Sequence, residues 1–132
     1  MKKVFVTGCF DILHVGHIRL LKFAKSHGDF LIVALDTDQK VKKAKGNNRP
    51  FNKLEVRKEM MQSIKYVDEV LSFNSNLELI DLLNSTKPDV RVLGGDWEGK
   101  AIVGEDCVKD KKFFRRIDGF STTKILESAS DR

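Results

Sequence analysis

The feature that most constrains this chain is an alternation: short apolar runs recur along it, and helix-period stretches lie between them. Val4-Phe5-Val6, Phe30 to Leu35, Glu69 to Phe73 and Val90-Arg91-Val92-Leu93 are β-branched or aromatic in character and bounded by Gly, Asp or Asn. Short, near-continuous runs of this kind mark strands buried on both faces, as in parallel sheets. Phe113-Phe114 is a shorter fifth candidate, pinched between Lys111-Lys112 and Arg115-Arg116. Ile18, Leu21 and Ala24, with Leu20, fall at helical spacing, and Gly28 is a stop signal. Asn52 followed by Glu55 has the form of a capping box and predicts a helix to about Ser63. Leu77, Ile80 and Leu83, with Leu79, predict the next apolar face, closed by Pro88. Ser121-Thr122-Thr123 predict the cap of a last helix reaching about Ala129. Strands alternating with helices require right-handed crossovers. The expected fold class is therefore α/β, a doubly wound parallel five-stranded sheet with helices on both faces. Ligands of such sheets sit at the carboxyl ends of the strands.

Length and composition narrow the class further. The 132 residues fit one domain, 1–132. With 41% hydrophobic and 33% charged residues, the composition is that of a soluble globular protein rather than a disordered one. No apolar run approaches the ~20 residues of a membrane span. Val4 to Val6 is too short for a signal-peptide core and reads as a first strand. Two cysteines, Cys9 and Cys107, form no disulfide framework, so a reducing, cytoplasmic location is expected. The net charge is +5, with Lys40, Lys42, Lys43 and Lys45 in one cluster and Lys109, Lys111, Lys112, Arg115 and Arg116 in another. Such clusters attract polyanions or simply cover a solvated surface. A nucleic-acid site predicts aromatic residues interleaved with the basic ones. Lys40 to Lys45 has none, and Phe113-Phe114 reads as strand core. Neither a nucleic-acid nor a membrane partner is expected.

The chemistry is concentrated in one loop. The first strand runs into Thr7-Gly8-Cys9-Phe10-Asp11-Ile12-Leu13-His14-Val15-Gly16-His17, with a helix predicted to begin near His17. Gly8 lets backbone approach a ligand where a side chain would block it. Free N–H groups and the positive dipole end of the helix then face whatever the loop holds. His14 and His17 flank a glycine, and two imidazole donors suit charge building on a phosphorus centre. Transfer at phosphorus asks mostly for positioning and charge stabilisation. A single histidine at a helix start would read as a cap. Two could also hold zinc, but His27 and Cys9 complete no plausible ligand set, so no resident metal is expected. G-x-G-x-x-G is absent, and the P-loop pattern approached from Gly94 to Lys100 fails at Ala101.

Gly8 to His17 resembles the signature of the cytidylyltransferase-like, HxGH nucleotidyltransferase superfamily. Arg116-Ile117-Asp118-Gly119-Phe120-Ser121-Thr122-Thr123 resembles its R-x-x-G-x-S-T-T motif. The resemblance covers nearly the whole chain and implies a Rossmann-like domain joining a nucleoside triphosphate to a phosphorylated small molecule, with release of pyrophosphate. It implies that His14 and His17 hold the triphosphate and stabilise the transition state. Thr7, Gly8 and Phe10 would line the nucleotide, with Gly95 and Asp96, while Ser121 and Thr122 would meet the β- and γ-phosphates. Arg116 would add positive charge. Asp11 would face the acceptor or position the loop. Lys45, in the Lys40 to Lys45 loop, is the expected phosphate-contacting lysine, with Lys42 and Lys43 beside it, and Arg57 is a further basic contact. Magnesium would arrive on the nucleotide, and a homodimer is expected.

Two branches of the family compete. Heptose 1-phosphate adenylyltransferases resemble the chain at Lys45 to Asn52, at Gly94-Gly95-Asp96-Trp97 and at Ile102-Val103-Gly104. Glycerol-3-phosphate cytidylyltransferases resemble it at Tyr66 to Val70, at Asp96 to Lys100 and in the C-terminal arginine, but usually have arginine where Lys65 stands. The Arg49-Pro50 segment and Gly94 to Trp97 favour the adenylyltransferase branch, ATP and a heptose 1-phosphate-like acceptor. Trp97 would stack on a base, close over the acceptor or anchor packing. That branch is often fused to a kinase domain, and with one domain here the acceptor phosphate is expected from a separate enzyme. A nucleotide-binding module without turnover is the alternative of another class.

Overall fold

The computed structural model of the chain describes residues 1–115. Its strands are β1 (Lys3–Gly8), β2 (Phe30–Asp36), β3 (Glu69–Phe73), β4 (Val90–Gly94) and β5 (Asp110–Phe114). They form one all-parallel sheet in the order β3-β2-β1-β4-β5. The helices are α1 (Val15–Lys25), α2 (Asp38–Lys45), α3 (Leu54–Gln62) and α4 (Asn76–Thr86). The doubly wound sheet expected from the alternation is present, β5 included. Because β1 is central, crossovers leave it in opposite directions, and a crevice opens between the carboxyl ends of β1 and β4.

Strand pleating divides the core in two. Val4, Val6, Leu31, Val33, Leu35, Val90 and Val92 face Leu21 and Ala24 of α1 and Met61 of α3. Phe5, Ile32 and Ala34 face Leu79 and Leu83 of α4 together with Val108. Each large side chain fully buried in this way contributes about 1.5–3 kcal/mol relative to exposure. The amino-terminal edge is stitched by aspartates that stand immediately before three strands. Asp29 accepts the Lys2 amide at 3.0 Å, Asp89 the Lys3 amide at 2.8 Å, and Asp68 the Leu31 amide at 2.7 Å.

Four local expectations need correction. The Lys40 to Lys45 segment is not a loop but the body of α2, capped by the Thr37 hydroxyl, which accepts from the Lys40 amide at 3.3 Å. Val41 is its one buried residue, and Lys42, Lys43 and Lys45 occupy its last turn, where the helix dipole favours cations. Gly46 then ends it at φ 98°, a conformation that suits glycine. Second, Asn52 caps nothing, since α3 begins after Lys53 without a side-chain cap. Third, α1 starts at Val15, ahead of the expected His17. Fourth, Leu77 is 74% exposed and drops out of the expected apolar face, of which α4 buries Leu79 and Leu83. Among the described residues no helix is long and apolar enough to cross a membrane.

Candidate active site at the carboxyl ends of β1 and β4

The loop after β1 is held from three sides. A Cβ on Gly8 would lie 2.7 Å from the Phe10 ring, so the ring can fold back only over a glycine. Phe10 is buried and sits at φ 50°, a left-handed conformation sparsely used by bulky residues, and its ring meets His17 edge-on at 5.2 Å. His14 is the N-cap of α1. Its Nδ1 accepts from the Gly16 amide at 3.1 Å, and Nδ1 of His17 accepts from the His14 amide at 3.3 Å. The two rings stack with centroids 3.8 Å apart. Because each Nδ1 receives a backbone N–H, the proton of each neutral ring belongs on Nε2. The helix terminus thus fixes two imidazoles as Nε2–H donors at the positive end of α1.

Asp11 lies beneath this loop and is 1% exposed. Its carboxylate accepts the Phe51 amide at 2.6 Å and the Asn52 amide at 2.7 Å, with Arg49 Nε 3.5 Å away. The Asn52 side-chain amide donates to the Asp11 carbonyl at 2.7 Å. Of the two roles open for Asp11, the geometry therefore favours positioning the loop. Arg57 does not face open space as a phosphate contact would. It is fully buried, donating to the carbonyls of Asn52 (3.0 Å), Cys9 (3.0 Å) and Asp36 (2.8 Å) and to the Asp38 carboxylate (2.7 Å). A guanidinium has five donors in a planar fork, and here they tie the β1 loop, the end of β2, the start of α2 and the approach to α3 together. Burial pushes the Cys9 thiol above its ordinary value against the pull of Arg57 and Lys45, so the thiol is kept protonated.

Beyond β4, Gly95–Trp97 forms a short 3₁₀ turn carrying Gly95, Asp96 and Trp97. A Cβ on Gly95 would lie 3.3 Å from the Phe114 carbonyl, so this turn nests against the end of β5. On the α4 side of the strand ends a cavity of about 270 Å³ is bordered by Thr7, Gly8, Lys40, Phe73, Arg91 and Trp97, among others. Lys40 Nζ lies 3.5 Å from the Asp36 carboxylate and 5.4 Å above the Phe73 ring. The structure thus gathers Thr7, Gly8, Phe10, His14, His17, Gly95, Asp96 and Trp97 around the carboxyl ends of β1 and β4. Lys42, Lys43 and Lys45 are exposed on α2, with the Lys45 charge acting on Cys9. Arg116, Ser121 and Thr122 lie outside the described residues. Lys40 and Arg91 escaped the sequence reading as cavity residues. For Arg91 the signal was there, a charge in the middle of an apolar strand run.

The chain matches the family model described as cytidylyltransferase-like over residues 5–127. It is 45% identical over 123 residues to the bifunctional protein HldE of Campylobacter fetus, covering 93% of this chain and 27% of that protein. To the bifunctional protein HldE of Aliarcobacter butzleri it is 46% identical over 128 residues, covering 96% of this chain and 26% of that protein. The chain therefore spans about a quarter of the length of the curated relatives it matches. Among solved structures, the lipopolysaccharide core biosynthesis protein from Thermoplasma volcanium superposes with a TM-score of 0.67 at 28% identity, covering 89% of this chain and 97% of that one. With the HxGH loop on the end of β1 and a match running almost from end to end, this chain belongs to the cytidylyltransferase-like family.

Proposed function

We propose that this chain is a nucleotidyltransferase that joins a nucleoside monophosphate, from ATP, to a heptose 1-phosphate-like sugar phosphate and releases pyrophosphate. The observation that carries the reading is the pair of stacked, cap-fixed imidazoles of His14 and His17 at the amino end of α1. In the reaction an oxygen of the acceptor phosphate attacks the α-phosphorus, and the bond to the oxygen bridging to the β-phosphorus breaks. Charge then builds on the equatorial oxygens and on the departing pyrophosphate, where preorganised donors stabilise the transition state more than the ground state. The Nε2–H groups of the two rings supply such donors at the positive end of α1. Thr7, Gly8, Phe10, Gly95 and Asp96 line the nucleotide in this reading. Trp97 and the lysines 42, 43 and 45 serve the acceptor side and the phosphates, joined by Arg116, Ser121 and Thr122. Resemblance in Gly94 to Trp97 and in the Arg49-Pro50 segment supports the choice of adenine. The lipopolysaccharide core biosynthesis name of a solved relative supports a sugar acceptor.

Magnesium, in this proposal, arrives on the triphosphate and neutralises charge on the leaving group. Among the described residues no three of His, Cys, Asp and Glu converge on one point. The Asp11 carboxylate is engaged by backbone amides, and that of Asp36 faces Lys40. A homodimer, which rests on the family resemblance, and a cytoplasmic location, which rests on the two unpaired cysteines, complete the proposal. The test is pyrophosphate release with magnesium, crossing ATP, CTP, GTP and UTP with heptose 1-phosphate, glycerol 3-phosphate and other phosphorylated acceptors. Release with ATP and a sugar 1-phosphate is the expected result. Release with CTP alone would move the chain to the cytidylyltransferase branch. Nucleotide binding without turnover across the panel would favour a binding module.

A further inference from the structure

Arg91 is a charged residue on a central strand, 3% exposed, at the wall of the cavity. In register it stands beside Phe5, on the α4 face of the sheet. Among the described residues the guanidinium makes one hydrogen bond, from Nη1 to the Val103 carbonyl, and its buried Nε has no partner. Among the described residues no carboxylate pairs with it: Glu105, whose charge acts on Arg91, is bound by Lys111. The acidic residue that lines the cavity, Asp36, faces Lys40. A buried guanidinium without a counter-ion is destabilising, and the group that offsets it most effectively is an oxyanion taken in the planar fork. Arg57 shows what a structurally saturated arginine looks like in this same fold, and Arg91 differs from it.

Position then separates this anion from the reacting phosphate. Arg91 lies three residues down the sheet from the strand ends at Gly8 and Gly94, roughly 10 Å at about 3.3 Å per residue. Its side chain is on the α4 face, whereas His14 and His17 head α1 on the opposite face. Resting on the transferase reading above, we propose that Arg91 selects the acceptor by binding a second anionic group, a carboxylate or a phosphate, on the end remote from the phosphate that reacts. The acceptor is then a sugar phosphate that carries a second anionic group. It enters from the rim beside Trp97, with its far end at the floor of the cavity.

Trp97 is the only tryptophan in the chain and borders the cavity, so its fluorescence reports occupancy without any turnover. The experiment titrates the full chain with inorganic phosphate, a hexose 1-phosphate, the matching hexose bisphosphate and the matching uronic acid 1-phosphate. Wild type should bind the two sugars with a second anionic group about tenfold or more tightly than the hexose 1-phosphate, and Arg91→Met should erase that preference and the phosphate response. Whichever of the two binds tighter identifies carboxylate or phosphate as the far group. Arg91→Gln gives the same reading should the methionine variant not fold. Equal affinities in wild type, or a preference that survives substitution, would each overturn the proposal. Silence in the pyrophosphate panel would instead count against the transferase reading alone.

Discussion

At the scale of single residues, His14 carries two duties that a mutation can separate. Its Nδ1 closes the helix terminus, while its Nε2–H is the donor assigned to the triphosphate. Asparagine is a good N-cap whose side-chain oxygen can take the Gly16 amide, yet it brings no imidazole. His14→Asn should keep its thermal midpoint close to that of wild type and lose about 10²–10³-fold in kcat, the usual cost of removing one transition-state donor. His14→Ala should lose activity similarly and stability by about 1 kcal/mol as well. His17→Ala should also lose activity. Midpoints and steady-state rates on the same preparations check this, and near-wild-type rates in His14→Asn would remove His14 from the chemistry. The string from Gly8 to His17 was readable from the sequence because its spacing is local. What could not be read was that the histidines cap their own helix, since this depends on where the first turn closes.

Among elements, the region from α2 to α3 was the least legible. Its alternation fails because α2 buries only Val41, so no amphipathic period advertises it. Arg57 was readable as a basic helix residue, but its partners lie 5, 19, 21 and 48 residues away, and no local pattern carries such separations. The same holds for Asp11 with Phe51 and Asn52. Arg57→Lys tests the hub: one ammonium cannot serve three carbonyls and a carboxylate at once, so buried acceptors go unsatisfied. A loss of about 3–5 kcal/mol is expected by urea unfolding, the range for breaking a buried, hydrogen-bonded charge. A loss below 1 kcal/mol would show that water replaces the fork. If the loop is rebuilt more loosely, nucleotide affinity falls in the variant even where the fold survives.

For the whole molecule, the sheet was legible because each run before a turn is bounded by its own punctuation, and the aspartates before β2, β3 and β4 are part of that punctuation. Asp68 is the clearest of them electrostatically. Desolvation opposes its ionisation, but hydrogen bonds from Lys25 and the Leu31 amide outweigh it and hold its pKa below the ordinary 3.8. A carboxylate lowered in the folded state contributes stability above the unfolded value, and that contribution is lost as pH falls through the folded value. Asp68→Asn should therefore be less stable than wild type near neutrality, with the two converging below pH ~4. Urea midpoints measured across pH check it, and parallel curves down to acid would place the effect elsewhere. Sequence did not reveal which face each helix covers or that β1 is central, because strand order is set by pairing rather than by sequence order.

The central place of β1 also bears on how the protein is born. On the ribosome, β1 can pair with β2 and β2 with β3 as soon as those segments emerge, but the other flank of β1 waits for residues 90–94. Until then a nascent chain shows a bare, apolar flank through Val4, Phe5 and Val6, the kind of edge on which strands from other chains dock. Arrival of β4 covers that flank and, in the same step, brings the Gly94 turn to the strand end where His14 and His17 already wait, with Arg91 below it on the other face. Completion of the catalytic crevice and protection from aggregation are then one docking event, and a chain interrupted before it would be both inactive and adhesive.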